Sequence, residues 1–207
     1  RKMVALVTDM GEPLGSHIGN ALEVKEAIDV LAGRVEGPLL TVALELGARM
    51  LLLGGAAETV EDGKAKLQEA LRSGAGLEKL RQMIAAQGGD PACCDDTSLL
   101  PRANYIQELR SAETGYIASM DTIRLGNAAQ AMGAGRKQKT DLIDHSVGYV
   151  MHKRIGDHVD KGDLIATLHA KNPESAGEAG KEILASLHFS PTPVPPCKLI
   201  HAFVDGE

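Results

Sequence analysis

Two glutamates three residues apart, Glu23 and Glu26, follow a glycine-bounded turn in the stretch Pro13 to Asp29, PLGSHIGNALEVKEAID. At that spacing they are neighbours on a helix surface, and acids in the first turns of a helix favour the positive end of its dipole. The turn PLGSHIG ahead of them exposes carbonyl oxygens. Carbonyls joined by one carboxylate make a donor set for a hard, weakly charged cation. On the residues alone, a solvated acidic helix face and a cation site both stand.

Other residues with chemical potential read more plainly. Among the seven histidines, no pair has the H-x-x-x-H spacing that sets two imidazoles on one helix face. His145, His152, His158 and His169 are scattered over strand-like sequence and read as surface or hydrogen-bonded rings. The loop GAGRKQK, Gly133 to Lys139, combines backbone N–H groups exposed by glycine with Arg136, Lys137 and Lys139, which suits either an anion or a plain glycine turn followed by solvated cations. Cys93, Cys94 and Cys197 supply neither a disulfide framework nor a C-x-x-C pair, so inert thiols in a reducing, cytoplasmic setting are expected.

Composition narrows the function classes. The 207 residues carry 22 Lys plus Arg against 28 Asp plus Glu, a net charge of −6, with two Phe, three Tyr and no Trp. A nucleic-acid surface normally needs a basic patch and stacking rings, so that class is set aside. The apolar run MLLLGGAA, Met50 to Ala57, falls far short of the ~18 residues a membrane helix requires. The opening RKMVALVTD reaches a β-branched run almost at once, and the chain is expected to be the back half of something longer.

These residues must be positioned by the elements around them. Val4 to Val7 reads as a strand buried on both faces of a parallel α/β sheet, with its partner strands supplied by residues outside the chain. Asn20 is expected to cap a helix running to about Leu31 and stopped by Gly33, with Ala21, Val24, Ile28 and Leu31 on its apolar face. Leu39 to Leu53, a helix capped by Thr59, and Gly76 to Gly89 continue the helical texture. A turn-rich stretch, GGDPACCDDTSLLPR, then marks a boundary near residue 100. Beyond it, NYIQEL, GYIASM, YVMHKRI, GDLIATLHA and KLIHAFV are strand-length runs, interrupted by one helix capped by Asn172 or Ser175. The expected fold class is α/β plus α+β: residues 1–100 end a central α/β domain, and residues 103–207 form an α+β domain.

Within that second part, VGYVMHKRIGDHVDKGDLIATLHA has the rhythm of the barrel-sandwich modules that carry biotin or lipoate. Lys153, Lys161 and Lys171 are the nearby candidates for a modified lysine, but the motifs that flank such a lysine are absent. The likeness therefore points to barrel-sandwich-like β-structure, and a stand-alone carrier module remains the alternative function.

The segments TDMGEPLGSHIGNALEVKEAIDVL, ELGARMLLLGG, AAQGGD, GYIASM, GAGR and IDHSVGYVMHKRIGDHVDKGDLIATLHA, in this order, resemble the C-terminal half of pyrimidine-nucleoside phosphorylases, the family that includes thymidine phosphorylase. The resemblance implies a pentosyltransferase, a glycosyltransferase that cleaves thymidine or uridine with inorganic phosphate to free base and a pentose 1-phosphate. The Lys-His-Ser-Thr-Gly-Gly phosphate loop and the base-binding residues of that family do not occur here, so no catalytic residue is expected in this chain, which alone should be inactive. The resemblance further implies a cytoplasmic homodimer and part of a potassium site: the carbonyls of Leu14 and His17 and the carboxylate of Glu26, completed by the phosphate loop of the other half. Glu23 lies outside that set. The anthranilate phosphoribosyltransferases share the helical-plus-α/β plan but lack a β-rich C-terminal domain, which argues against them.

Overall fold

The structure is a computed structural model and describes residues 2–206. The chain forms two interleaved units. One comprises the residues up to Asp9, Glu26–Leu99 and Lys198 onward; the other comprises Met10–Lys25 and Leu100–Cys197. The change near residue 100 coincides with a unit border, while the 10–25 segment and the chain's last stretch each join the unit that contiguous reading assigns them away from. All strand pairs are antiparallel, and the class is mixed α and β.

In the first unit, β1 (Met3–Thr8) pairs with β9 (Ile200–Gly206) as a two-stranded ribbon, Leu6 opposite Phe203. This corrects the expectation of a parallel strand buried on both faces with partners outside the chain: β1 alternates exposed and half-buried positions, and its partner lies at the far end of the same sequence. A run such as MVALVT reads alike whether one face or two are covered, and a pairing this remote leaves no local trace. Helix α1 (Asn20–Leu31), which enters this unit at Glu26, ends in a Schellman motif, with Gly33 N–H on Val30 O and Arg34 N–H on Asp29 O, made possible by the positive φ of Gly33. Helix α2 (Pro38–Leu53) opens on a proline whose absent N–H costs nothing there. Helix α3 (Val60–Arg72) is capped by Thr59, whose hydroxyl accepts the Asp62 N–H at 3.0 Å.

Helices α2 and α3 approach closely at Gly63, where a Cβ would fall 2.8 Å from the Ala48 carbonyl. Glu45 bridges them by pairing with Arg49 and Lys64; burial pushes its carboxyl up, but the hydrogen bonds and charges of the two cations together hold it below its ordinary value. Arg49 also lies over the Phe203 ring, 3.9 Å from its centre, tying α2 to β9. Helix α4 (Ala75–Ala86) is fastened to the turn-rich stretch by a two-pronged pair, Arg81 to Asp95 at 2.7 and 2.8 Å.

The second unit builds two sheets. β2 (His17–Ile18), β5 (Gly148–Met151), β7 (Leu164–Ala170) and β3 (Tyr105–Arg110) make one, in the order β2-β5-β7-β3. β6 (His158–Val159), β4 (Gly115–Met120) and β8 (Leu187–Ser190) make the other, in the order β6-β4-β8. Helices α5 (Thr122–Ala129) and α6 (Pro173–Ala185) close the core, in which Ile117, Leu125, Tyr149, Ile165, Leu168 and Ile183 are at most 1% exposed. The Tyr149 hydroxyl donates to the Leu125 carbonyl at 2.8 Å, which satisfies the one polar atom this ring buries. Two helices stand where one is expected. Helix α5 is capped by Asp121, whose carboxylate accepts the Arg124 N–H, and a π-helical turn follows at Gln130–Ala134. Strand β8 follows α6 after Ser186, and the cap of α6 is Asn172, accepting from Ser175 N–H at 2.9 Å.

Candidate functional site

The 12–18 segment is tied to the turn after β5. Glu12 accepts the Ile155 N–H at 2.9 Å with one carboxylate oxygen and lies 3.2 Å from the Arg154 guanidinium with the other. Arg154 donates from Nη1 to the Pro13 carbonyl at 2.8 Å and from Nη2 to the Leu14 carbonyl at 3.0 Å. Its own backbone N–H donates to Asp157 Oδ2 at 2.8 Å, so the arginine is anchored at both ends. The Glu12 side chain retains only 8% exposure, and a pair so withdrawn from water is screened less than a surface one.

Next in sequence, Ser16 accepts the Met151 N–H at 2.8 Å, and His17 and Ile18 stand opposite Val150 and Tyr149. Bonded and non-bonded pairs alternate along an antiparallel ladder. Because Ser16 and Met151 are bonded, His17 occupies the non-bonded position, and its carbonyl points away from β5 and off the edge strand of the sheet.

The helix that follows separates the two glutamates. Helical structure begins at Asn20, whose side chain does not cap it but donates to the Ala134 carbonyl at 2.9 Å. Glu23 performs the capping, its Oε1 accepting the Gly19 N–H at 3.1 Å. Glu26, by contrast, is 5% exposed, one of the three buried polar residues among those described. The buried stripe of α1 is Ala21, Leu22, Glu26, Ile28 and Val30, while Val24, expected inside, is 39% exposed. The carboxylate of Glu26 thus lies on the buried stripe of α1, whereas that of Glu23 is exposed.

The expected ligand residues thus fall into two groups. Leu14 and His17 share one segment held by residues 150–155, and Glu26 lies further on, on α1. Their donor chemistry fits a hard monovalent cation: oxygen only, with one formal negative charge. The Leu14 carbonyl already accepts from Arg154 and keeps one further lone pair. Neither Glu12 nor Arg154 stood out in the sequence, because the contact joins residues 140 positions apart and neither lies in a motif of its own.

The remaining candidates disperse. His152 Nε2 lies 2.8 Å from Thr167 Oγ1, and His158 meets the Tyr116 ring edge-on at 4.9 Å. Among the described residues, no three His, Cys, Asp or Glu side chains are grouped to hold a metal. In the GAGRKQK loop, the N–H groups of Lys137 and Gln138 are taken by the Asp141 carboxylate at 3.0 and 2.9 Å, so the donors an anion would use serve the chain's own acid. Cys93 and Cys94 are buried, and burial pushes the Cys94 thiol up, away from the reactive thiolate. Lys153 reaches the His158 carbonyl and Asp163, both at 3.4 Å; Lys161 and Lys171 are exposed. No helix among the described residues is long and apolar enough to cross a membrane.

Comparison with known proteins adds an independent line. Residues 116–190 match the model of the pyrimidine nucleoside phosphorylase C-terminal domain. The chain is 40% identical over 201 residues to a pyrimidine-nucleoside phosphorylase of Geobacillus stearothermophilus, covering 97% of the chain and 46% of that protein. It is 39% identical over 204 residues to its counterpart in Bacillus subtilis and 40% identical over 204 residues to that of Staphylococcus aureus, covering 99% of the chain and 47% of either relative. The chain spans about half the length of the curated relatives it matches, and the matched half is their C-terminal part.

Proposed function

This chain belongs to the pyrimidine-nucleoside phosphorylase family as a C-terminal portion, and on that premise we propose that it serves a pentosyltransferase acting on thymidine or uridine with inorganic phosphate. The observation that carries the proposal is the length of the similarity: about 40% identity runs through 97 to 99% of the chain. In this proposal the phosphate loop and the base-binding groups lie in the portion of the enzyme upstream of the match. The whole enzyme is a cytoplasmic homodimer, in which the first unit ends the central α/β domain and the second unit forms an appended domain of barrel-sandwich type.

One feature of the first unit supports an upstream layer. The ribbon face bearing Met3, Ala5, Val7, Ala202 and Val204 is apolar throughout, with Met3 69%, Val7 48% and Val204 53% exposed. Contiguous apolar surface of that kind is normally covered in a functioning protein. The proposal assigns the cover to the upstream portion.

The Leu14 and His17 carbonyls and the Glu26 carboxylate are proposed to hold potassium. When bound, the ion would supply a fixed positive charge that stiffens the phosphate loop contributed from upstream. The chain's own oxygens do the holding, and Glu26 brings their one formal negative charge. The carrier reading gains nothing specific: Lys153 is engaged with Asp163, and no lysine carries a recognisable attachment motif.

The test is phosphorolysis. The full-length enzyme should release thymine or uracil from nucleoside plus phosphate, and the 207-residue chain alone should release none. Release by the chain alone overturns the assignment of the catalytic groups to the upstream portion, and an inactive full-length enzyme overturns the activity.

A further inference from the structure

We propose that Arg154 is a positioning residue for the cation turn, presenting the Leu14 carbonyl to a monovalent cation, with Glu12 as the counter-charge that lets a guanidinium sit beside a cation site. The inference rests on the reading that the Leu14, His17 and Glu26 oxygens bind potassium.

The geometry is that of an outer-shell support. One planar guanidinium spans two successive carbonyls, Pro13 at 2.8 Å and Leu14 at 3.0 Å. A rigid fork bonded to both orients the peptide planes on either side of Leu14 more tightly than a single flexible donor could. The arginine is itself fixed, because its N–H is held by Asp157 and it comes three residues after the end of β5. That same stretch sets the direction of the His17 carbonyl through the Ser16 to Met151 bond. Both proposed carbonyl ligands therefore take their orientation from residues 150–155, about 140 positions away in sequence.

Charge is the apparent objection, since a guanidinium bonded to a ligand oxygen repels an ion on that oxygen. Glu12 answers it. Its carboxylate lies 3.2 Å from the guanidinium, is held there by the Ile155 N–H, and is withdrawn from water. The carboxylate thereby offsets part of the repulsion that the guanidinium exerts on an ion at Leu14. Removing Glu12 leaves the repulsion uncompensated; removing Arg154 leaves the carbonyls unoriented. Both changes weaken cation binding, for different reasons.

The test uses the full-length enzyme carrying R154Q, R154K, E12Q or E12Q/R154Q. Thermal unfolding is followed while KCl replaces choline chloride at constant ionic strength, and hydrogen exchange is measured over residues 10–19. Wild type should gain thermal stability saturably with potassium. R154Q should raise the half-saturating concentration about 10-fold or more, the usual loss when an outer-shell partner of a metal ligand is removed, and exchange over 10–19 should accelerate. R154K keeps the charge and one carbonyl bond and should fall between. E12Q should weaken potassium binding without accelerating exchange as much as R154Q, and the double variant should bind no worse than R154Q. Unchanged exchange in R154Q overturns the latch. Accelerated exchange with unchanged potassium half-saturation overturns its role toward the cation. Should R154Q fail to fold, R154K and E12Q with wild-type potassium half-saturation overturn that role equally. A wild type without any potassium-specific shift overturns the cation reading itself.

Discussion

Gly148 and Gly19 stand back to back across the β2–β5 pair: a Cβ built on Gly148 would fall 2.9 Å from the Gly19 Cα and 2.1 Å from the Ile18 carbonyl oxygen. Both residues have φ values that L side chains rarely adopt, +151° at Gly148 and +133° at Gly19. The sheet thus admits β2, and with it the His17 carbonyl, only because neither position carries a side chain.

Gly148→Ala should therefore separate β2 from β5, at a cost of at least ~2 kcal/mol from strain and clash together. Gly177→Ala serves as the contrast, since Gly177 lies inside α6 with nothing within 4 Å of its Cβ position. That change should stabilise by about 0.5–1 kcal/mol. Denaturant midpoints of the two variants check both signs, and equal effects would mean that the close approach of Gly148 does not constrain the sheet.

Burial at Tyr149 makes a second expectation. The ring is fully buried and its hydroxyl donates to the Leu125 carbonyl on α5 at 2.8 Å. Tyr149→Phe keeps the packing and removes the donor, so the loss should be ~1 kcal/mol, the usual worth of one such bond. Tyr149→Ala should cost about 3–5 kcal/mol, as for other large core aromatics. Comparable losses in the two variants would assign the residue's contribution to the hydroxyl rather than to the ring.

How much of this was legible in the sequence depends on range. The Thr59 and Asn172 caps and the Gly33 stop are local chemistry, and each holds in the structure. Helix α5 and the π-helical turn after it were hidden by their composition: Leu125, Ala128, Ala129 and Met132 have helical spacing, but two of the four are alanines, whose apolar signal is weak. The β1–β9 ribbon and the Arg154 latch depend on residues that only the fold brings together. For the glutamate pair, spacing correctly made Glu23 and Glu26 helix neighbours, yet which of them is buried follows from the rotation of α1. Periodicity set that rotation wrongly at Val24.

His169 gives a pH dependence with a defined sign. It lies on β7 opposite Gly148 and Ile106, and burial holds its pKa below the usual imidazole value of ~6.5, with His17 pushing the same way. A base depressed in the folded state binds its proton more readily when unfolded. Its stabilising contribution is therefore complete above the unfolded value and is lost as pH falls through ~6.5 toward the folded value. Asp144 and Asp163, whose carboxyls are held low by hydrogen bonds to Ser146 and Asp160, titrate from ~3.9 downward and act in a separate range. Thermal stability should decline between about pH 7 and pH 5, and His169→Asn should flatten that decline. An unchanged slope in the variant would place the titrating group elsewhere.

The two glutamates of α1 should respond differently to the same change. Glu23 is an exposed capping acceptor for the Gly19 N–H, and a glutamine amide oxygen can accept that bond as well, so Glu23→Gln should leave stability within about 0.5 kcal/mol of wild type. Glu26 is buried at 5% exposure, and in the proposed cation site its charge is the one this portion of the enzyme contributes. Glu26→Gln preserves shape and one oxygen but removes that charge. In the full-length enzyme it should raise the potassium concentration needed for half-maximal phosphorolysis by about ten-fold, the equivalent of ~1.4 kcal/mol of lost attraction. Glu23→Gln should shift that concentration by less than about two-fold, because Glu23 lies outside the proposed ligand set and its exposed charge is screened by water and salt. The measurement is a potassium titration of activity for the three proteins side by side. Coincident curves for wild type and Glu26→Gln would return the pair to a helix terminus with one capping and one buried acid, and would remove Glu26 from the ligand set.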